Sequence, residues 1–272
     1  MYEMQRVDRL IQIDGLIKVY DFVRPRGFNF PGESHDFWEC VYIRRGEVMA
    51  IADERVYQLG EGKLLLHKPM EFHRIWSGDD CAPWIVNVSF QARGPLTEKL
   101  AGCFDLRPKQ REQFLEIAEM FTQLEALRNT GEDCRRLTNL IAVLLEAFLI
   151  DLAETESISS PYQLPKDERY TKIVQVMMAN CRENLSLGEL AQLCQMSVSN
   201  MKRIFHQYSD VGIAKYYLTL RIRYAKELLE KGIPANQVAE ELNFPDSAYF
   251  YTVFKRETNM TPAQYRRHKV QQ

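Results

Sequence analysis

The feature that most constrains this chain is a pattern written twice between Ser186 and Tyr265. Leu190, Ala191, Cys194 and Met196 are followed by Met201, Ile204 and Phe205. Val238, Ala239, Leu242 and Phe244 are followed by Phe250, Val253 and Phe254. The offset is 48 residues before each turn and 49 after it, so the second turn holds one extra residue. The match runs on, with Val211 against Met260, Ala214 against Ala263 and Tyr216 against Tyr265. Two copies are too few for a solenoid, so the chain carries a tandem pair.

Each copy reads as helix, tight turn, helix. Ser186, with Glu189 three residues on, is a capping box, and the helix it opens runs to about Cys194. Ser197 caps the next helix, which turns Met201, Ile204 and Phe205 inward at i, i+3, i+4 spacing. In the second copy Asp246 takes the Ser197 position. Its helix is expected to bury Phe250, Val253 and Phe254 and to expose Ser247, Tyr249, Tyr251, Thr252, Lys255 and Arg256. Asp210 and Asn259 follow the two second helices, and both tolerate the left-handed backbone of a helix stop. Thr261-Pro262 restarts a helix. Two short helices about a tight turn make a helix-turn-helix, whose second helix enters the DNA major groove. Between the copies an amphipathic run from Ala214 to Lys231 is long enough for a rod of roughly 27 Å. Such a rod suits two recognition helices about 34 Å apart, one turn of duplex.

The stretches LGELAQLCQMSVSNMKRIFHQYSDVGIAKYY, RIRYAKELLEKG and VAEELNFPDSAYFYTVFKRETNMTPAQYRR carry a family resemblance. They resemble the C-terminal domain of the AraC/XylS family of transcription regulators. The last is the most specific, with its Asn-Phe-Pro-Asp turn, Tyr-Phe, Phe-Lys-Arg and Thr-Pro-x-x-Tyr-Arg-Arg. Carried over position by position, the resemblance implies DNA contacts from Ser197, Ser199, Asn200, Lys202, Arg203 and His206 in the first unit. In the second it implies Ser247, Tyr249, Tyr251, Thr252, Lys255 and Arg256. Arg203 is the expected base reader, because guanidinium pairs bidentately with guanine O6 and N7. Thr252 stands where the first unit has Arg203 and where many relatives have arginine. The second unit is therefore expected to specify less, through thymine methyls, or mainly to position the protein. Lys255 and Arg256 are expected on phosphates, which add affinity without sequence choice. Arg266, Arg267 and Lys269 would add a basic tail. The plain alternative for each is a solvated surface, whereas Phe205, Phe250 and Phe254 belong to a core.

Composition agrees with this division. At 272 residues two domains are expected. From Lys166 onward sixteen Lys and Arg face eleven Asp and Glu, a net of +5, and the preceding residues carry −7. A basic C-terminal domain on an acidic partner fits a DNA contact confined to one end. No run approaches 18 apolar residues, the first ten have no apolar core, and six cysteines form no CxxC pair. A reduced, cytoplasmic protein with no membrane span is expected.

The N-terminal part reads as short strands, WECVYIRR, EVMAIADERVYQL, KLLLHK and WIVNVSF, separated by glycines and charged turns. They suggest a small β-barrel or jelly roll, and the spacing of Glu39, Gly46, Gly62, Pro69 and His73 resembles the two cupin motifs. Cupin-like sensor domains occur in the same regulator family. The cupin metal slots would read Glu33-x-His35, Glu39 and His73 here. The same residues could instead line a polar pocket without metal, and no metal or other cofactor is expected. The resemblance implies a small-molecule effector near His35, Glu39 and His73, with Trp38, Tyr42, Trp76 and Trp84 as candidate stacking walls. Alternation places Glu39, Val41 and Ile43 on one face and Trp38, Cys40 and Tyr42 on the other, and leaves open which faces the interior.

Residues 108–153 switch to helical period. Phe114, Ile117, Phe121 and Leu124, then Leu137, Ile141, Leu144 and Phe148, make two helices joined near Asn129-Thr130-Gly131. The second is widened by Leu140, Leu145, Leu149 and Leu152, so it has two surfaces to bury, inside one chain or against a second subunit. The expected fold is α+β and multidomain. It comprises a cupin-like barrel at 1–105, a helical hairpin for dimerisation at 106–154, a linker at 155–167, and an all-α tandem helix-turn-helix domain at 168–272. The expected function is a non-enzymatic, sequence-specific regulator, an activator working as a homodimer. Its partners would be double-stranded DNA, an effector and RNA polymerase. The alternatives are a metal-dependent cupin enzyme with a DNA-binding tail, and a regulator without a small ligand.

Overall fold

The computed structural model describes residues 6–130, 133–155 and 167–270, the side chains at 130, 167 and 268–270 excepted. It divides into two compact units, Met1–Gln163 and Leu164–Gln272. Most of the expected linker, and Gly131 of the expected hairpin turn, lie outside the described residues.

Among the described residues the first unit holds nine strands: β1 Gln12–Val23, β2 Asn29–Glu33, β3 Trp38–Arg45, β4 Glu47–Ala52, β5 Arg55–Gly60, β6 Lys63–His67, β7 His73–Trp76, β8 Trp84–Arg93 and β9 Gly102–Asp105. They form two antiparallel sheets, one in the order β1-β8-β3-β6-β9 and one in the order β2-β7-β4-β5. Val41, Ile43, Leu65 and Ile85 of the first sheet meet Val48, Ala50, Tyr57 and Leu59 of the second in one buried cluster. The expected small barrel is thus a sandwich of two sheets that do not close into a ring.

Two helices, α1 Pro108–Thr130 and α2 Arg135–Ala153, cover the outer face of the five-stranded sheet. Phe114, Phe121, Leu145 and Phe148 pack there against Cys40, Val86, Val88 and Phe90. That sheet is therefore covered on both faces, which is why β3 is buried from Trp38 to Ile43. β1 is its edge, with register shifts between Ile13 and Gly15 and between Leu16 and Lys18. Helix carboxylates serve the bulged backbone: Glu146 accepts from Ile13 N at 2.8 Å and Glu125 from Val19 N at 3.4 Å. The far side of α2 stays uncovered, with Leu140, Val143 and Ile150 all at least 40% exposed.

Among the described residues the second unit is all helix: α3 Asp167–Ala179, α4 Leu187–Leu193, α5 Val198–His206, α6 Ile213–Glu230, α7 Ala235–Glu241, α8 Ser247–Thr258 and α9 Pro262–Val270. The expected caps are present. Ser186 Oγ accepts from Glu189 N while Glu189 accepts from Ser186 N, Ser197 accepts from Asn200 N, and Asp246 accepts from Tyr249 N. Each such cap contributes about 0.5–2 kcal/mol. The duplication reaches the backbone: Met196 N bonds Ala191 O in the first turn and Phe244 N bonds Ala239 O in the second, both at 2.9–3.0 Å. Gln195 and Asn243, at equivalent positions, are both left-handed, with φ of 59° and 49°. Asn259 is left-handed as expected, but Asp210 is not: α5 ends at right-handed Gln207, and the Ser209 hydroxyl bonds Val211 instead.

The central helix α6 serves both copies. Its first half gives Tyr216, edge-on to Phe205, and its second half gives Ile222, Ala225, Leu228 and Leu229 to the core around Phe250 and Phe254. Midway, buried Arg221 donates to Asn184 Oδ1 at 2.9 Å and to the carbonyl of Leu242, with its guanidinium 4.1 Å from the Phe244 ring. One side chain therefore ties the approach to α4 to the end of α7.

Candidate functional site

Two surfaces stand out, one in each unit. In the second, α5 and α8 turn Met201, Ile204 and Phe205, and Phe250, Val253 and Phe254, into the core. That leaves Ser199, Lys202, Arg203 and His206 exposed on α5, with Asn200 half-buried between them. Arg203 Nη2 donates to Asn200 Oδ1 at 2.9 Å. Ser197 is exposed but occupied as the cap.

On α8, Tyr249, Thr252, Lys255 and Arg256 are exposed. Tyr251 and Ser247 are only half-exposed, which corrects the fully exposed placement expected from sequence. Tyr251 lies against the second core, edge-on to Phe250. Thr252 donates its hydroxyl proton to Ala248 O at 2.9 Å, leaving its methyl group and oxygen lone pairs. Arg256 Nε donates to Glu257 at 3.0 Å, and Glu257 also takes Lys215. Burial alone would raise the Glu257 carboxyl, but these two hydrogen bonds hold it below the ordinary range. Arg256 is thus engaged in an ion pair, whereas α5 carries no acidic residue beside Arg203.

In the first unit a cavity of about 360 Å³ opens between the sheets. Glu33, Glu39, His67 and His73 line it with Arg24 and Asn87, and Phe28, Phe30 and Ile85 supply apolar wall. β2 bends to bring Glu33 opposite His73. The bend depends on Gly32, at φ +96°, where an added Cβ would lie 2.7 Å from the Phe72 ring and 2.9 Å from His73 O. Glu39 accepts from Asn87 and Ser89 at 3.3 Å and sets its other oxygen 3.3 Å from His73 Nε2. Burial would raise the Glu39 carboxyl, but His73 and the neighbouring imidazoles hold it down to about 2. Burial would lower His73, yet Glu39 beside it raises it. His35, stacked on Phe37 at 3.6 Å, is pushed down to about 4 by burial and by His73.

His35, Glu39 and His73 therefore come together as expected, but Trp38 and Tyr42 do not join them. Both point to the other face of β3, into the core under the helices, with Tyr42 5.6 Å from Phe114. With both faces of the sheet covered, the charged residue takes the cavity side and the large aromatics the dry one. Trp76 and Trp84 are half-buried outside the lining, so phenylalanines, not tryptophans, form the wall. His67 and Arg24 were not singled out from sequence. The signal for His67 was its strand partner, since it sits directly across from Glu39.

A sandwich enclosing a polar cavity, and a tandem helix-turn-helix unit presenting two polar helix faces, define a ligand-sensing transcription regulator. The chain matches the AraC-like ligand binding domain over residues 19–158 and a helix-turn-helix domain over residues 190–268. It belongs to the AraC family of transcription regulators. It is 25% identical over 250 residues to the HTH-type transcriptional activator RhaR of Escherichia coli (strain K12), covering 87% of each chain. The RhaR of Shigella boydii serotype 4 gives the same figures: 25% over 250 residues and 87% of each. Among solved structures, apo ToxT K231A from Vibrio cholerae strain SCE256 covers 92% of this chain and 95% of its own at 16% identity, with a TM-score of 0.38. An AraC-type DNA-binding-domain-containing regulator from Chromobacterium violaceum covers 38% of this chain and 94% of its own at 30% identity, with a TM-score of 0.36. Among the described residues, no helix is long and apolar enough to cross a membrane.

Proposed function

We propose that this regulator is a cytoplasmic, non-enzymatic activator. A small polar effector enters the cavity between its sheets, and effector binding sets how well α5 and α8 hold two successive major grooves. The observation that carries the reading is the buried pairing of Glu39 with His73 at the wall of the cavity between the sheets. Buried charge of this kind is costly for stability alone, and here it faces a cavity large enough for a small metabolite.

The DNA contacts we assign are Ser199, Asn200, Lys202, Arg203 and His206 from α5, with Ser197 as their cap. From α8 we assign Tyr249, Thr252, Lys255 and Arg256, with Ser247 and Tyr251 at its edge. In the cavity the assigned effector contacts are Glu39 and His73, with His35 behind them. The uncovered stripe of α2 is our candidate homodimer face, and RNA polymerase is the proposed partner at the promoter. An effector that binds one dimer arrangement better than another shifts the population and with it operator occupancy.

Selection of bound DNA from a random duplex library, with the full-length protein, tests this reading. Two short elements about one helical turn apart are expected, and their duplication would report the dimer. Enrichment by residues 168–272 alone, but not by the whole chain, would point to an effector requirement. No enrichment by either would sink the contact assignment. A chain whose operator affinity responds to no metabolite would instead be a regulator without a small ligand.

A further inference from the structure

We propose that the effector is a hydroxylated monocarboxylic acid, its carboxylate held by Arg24 and its hydroxyl by Asn87. The proposal rests on the reading of the cavity as the effector site. Both side chains line that cavity, and each has a buried polar atom with no hydrogen-bond partner, Nε of Arg24 and Oδ1 of Asn87. Buried polar atoms are rarely left so. One is a donor and the other an acceptor, so the group that satisfies both must accept at one end and donate at the other.

Arg24 follows the end of β1, and its amide donates to Pro83 O at 2.8 Å, which fixes the root of the side chain. The guanidinium lies 4.0 Å from the centroid of the Phe22 ring and 4.8 Å from that of Phe28. Rings attract the cation but offer no lone pair in the plane of its N–H groups. The neighbouring charged groups of the cavity are already engaged: Glu39 with Asn87 and His73, His67 with Glu71, Arg74 with Asn29. Among the described residues the Arg24 guanidinium makes neither a hydrogen bond nor an ion pair. Burial works against its charge. A carboxylate, planar and with two oxygens, matches the guanidinium fork and restores the balance. A phosphate dianion would instead bring a second negative charge into a cavity that already holds Glu33 and Glu39.

Asn87 sits on β8 between Tyr20 of β1 and Val41 of β3, so its backbone is fixed on both sides. Its Nδ2 donates to Glu39 Oε1 at 3.3 Å. Glu39 is held ionised, so its oxygens only accept, and the amide cannot be turned over. Oδ1 is left to take a donor, which a hydroxyl supplies. Phe28, Phe30, Val41 and Ile85 give the body of the acid its apolar wall. A neutral polyol would satisfy Asn87 and leave the charge of Arg24 without a counterion.

Calorimetric titration of the full-length protein with 3-(4-hydroxyphenyl)propanoate, 3-phenylpropanoate and 3-(4-hydroxyphenyl)propan-1-ol tests each end separately. The hydroxy acid should bind best, and loss of either group should weaken binding about tenfold. Arg24→Gln should bring the hydroxy acid level with the alcohol, and Asn87→Ala should bring it level with the deoxy acid. Should Asn87→Ala fail to fold, Arg24→Gln decides, because its side chain is only half-buried. Operator affinity with and without the hydroxy acid would be read in parallel. Equal binding of acid and alcohol by the wild type, or an unchanged preference in Arg24→Gln, overturns the proposal and leaves the cavity as an effector site. Binding of none of the three overturns it as well. Acid binding that Arg24→Gln abolishes, with operator affinity unmoved, keeps the site and removes the effector reading.

Discussion

Arg203 and Asn200 are joined by a 2.9 Å hydrogen bond across one turn of α5. The amide holds one edge of the guanidinium and leaves its other donors directed away from the helix, prepared for a bidentate contact with guanine. Arg203→Ala should cost about 1–3 kcal/mol of operator binding and relax choice at one base position. Asn200→Ala should blur the same position with a smaller loss. Titration of operators varied base by base would show this, and unchanged binding by Arg203→Ala would remove the assignment.

Lys255 and Arg256 are neighbours on α8, but Glu257 engages only the second. Lys255→Ala should therefore weaken every sequence alike and flatten the logarithmic salt slope by about one unit. Arg256→Ala should do less. Glu257→Gln should tighten binding without changing sequence preference, by releasing Arg256 and Lys215. Affinities measured across a salt series would separate the three, and a loss confined to one sequence would refute the phosphate role of Lys255.

The same carboxylate gives the second unit an acid sensitivity. Glu257 is held below its ordinary range, so its contribution is fully present above the unfolded carboxylate value of about 4.3 and fades as pH falls through the folded value. Thermal unfolding of the full chain between pH 6 and pH 3 (about the span in which carboxylates titrate) should show a steeper acid loss for the wild type than for Glu257→Gln. Parallel curves would contradict the linkage.

On α2, two neighbouring residues should behave oppositely. Leu145 is fully buried against α1, and Leu145→Ala should cost about 2–5 kcal/mol of stability. Val143 is 57% exposed on the outer stripe, and Val143→Arg should leave thermal stability within about 0.5 kcal/mol. Sedimentation velocity should nonetheless show that variant shifted from dimer to monomer. A wild type that is already monomeric at working concentration would exclude this dimer face.

The second unit was legible because its signals are local. Ser186, Ser197, Asp246 and Thr261-Pro262 announce helix starts through their own chemistry, and the apolar spacing names the buried faces. The left-handed stop expected at Asp210 is absent because α5 ends at right-handed Gln207 with Ser209 bonding Val211, and the left-handed residue of the tight turn before α5 is Gln195. Glutamine shows no preference for that conformation. The backbone bonds of the tight turn impose it there, as they do at Asn243. The first unit was harder to read for a different reason. β1 is a bulged edge strand whose irregular register hides its alternation, and β2, β7 and β9 have at most five residues each. The face of β3 could not be chosen because both faces are buried, one by a sheet and one by helices. His67 went unread because its meaning lies across the sheet at Glu39, not along its own strand.

Arg221, gripping both copies from the middle of α6, turns the two readers into a caliper with fixed jaws. A tool that cannot open or close leaves any mismatch with the pitch of the helix to be absorbed by the DNA. Operators should then favour flexible pyrimidine–purine steps in the stretch between the two elements, at base pairs no side chain touches.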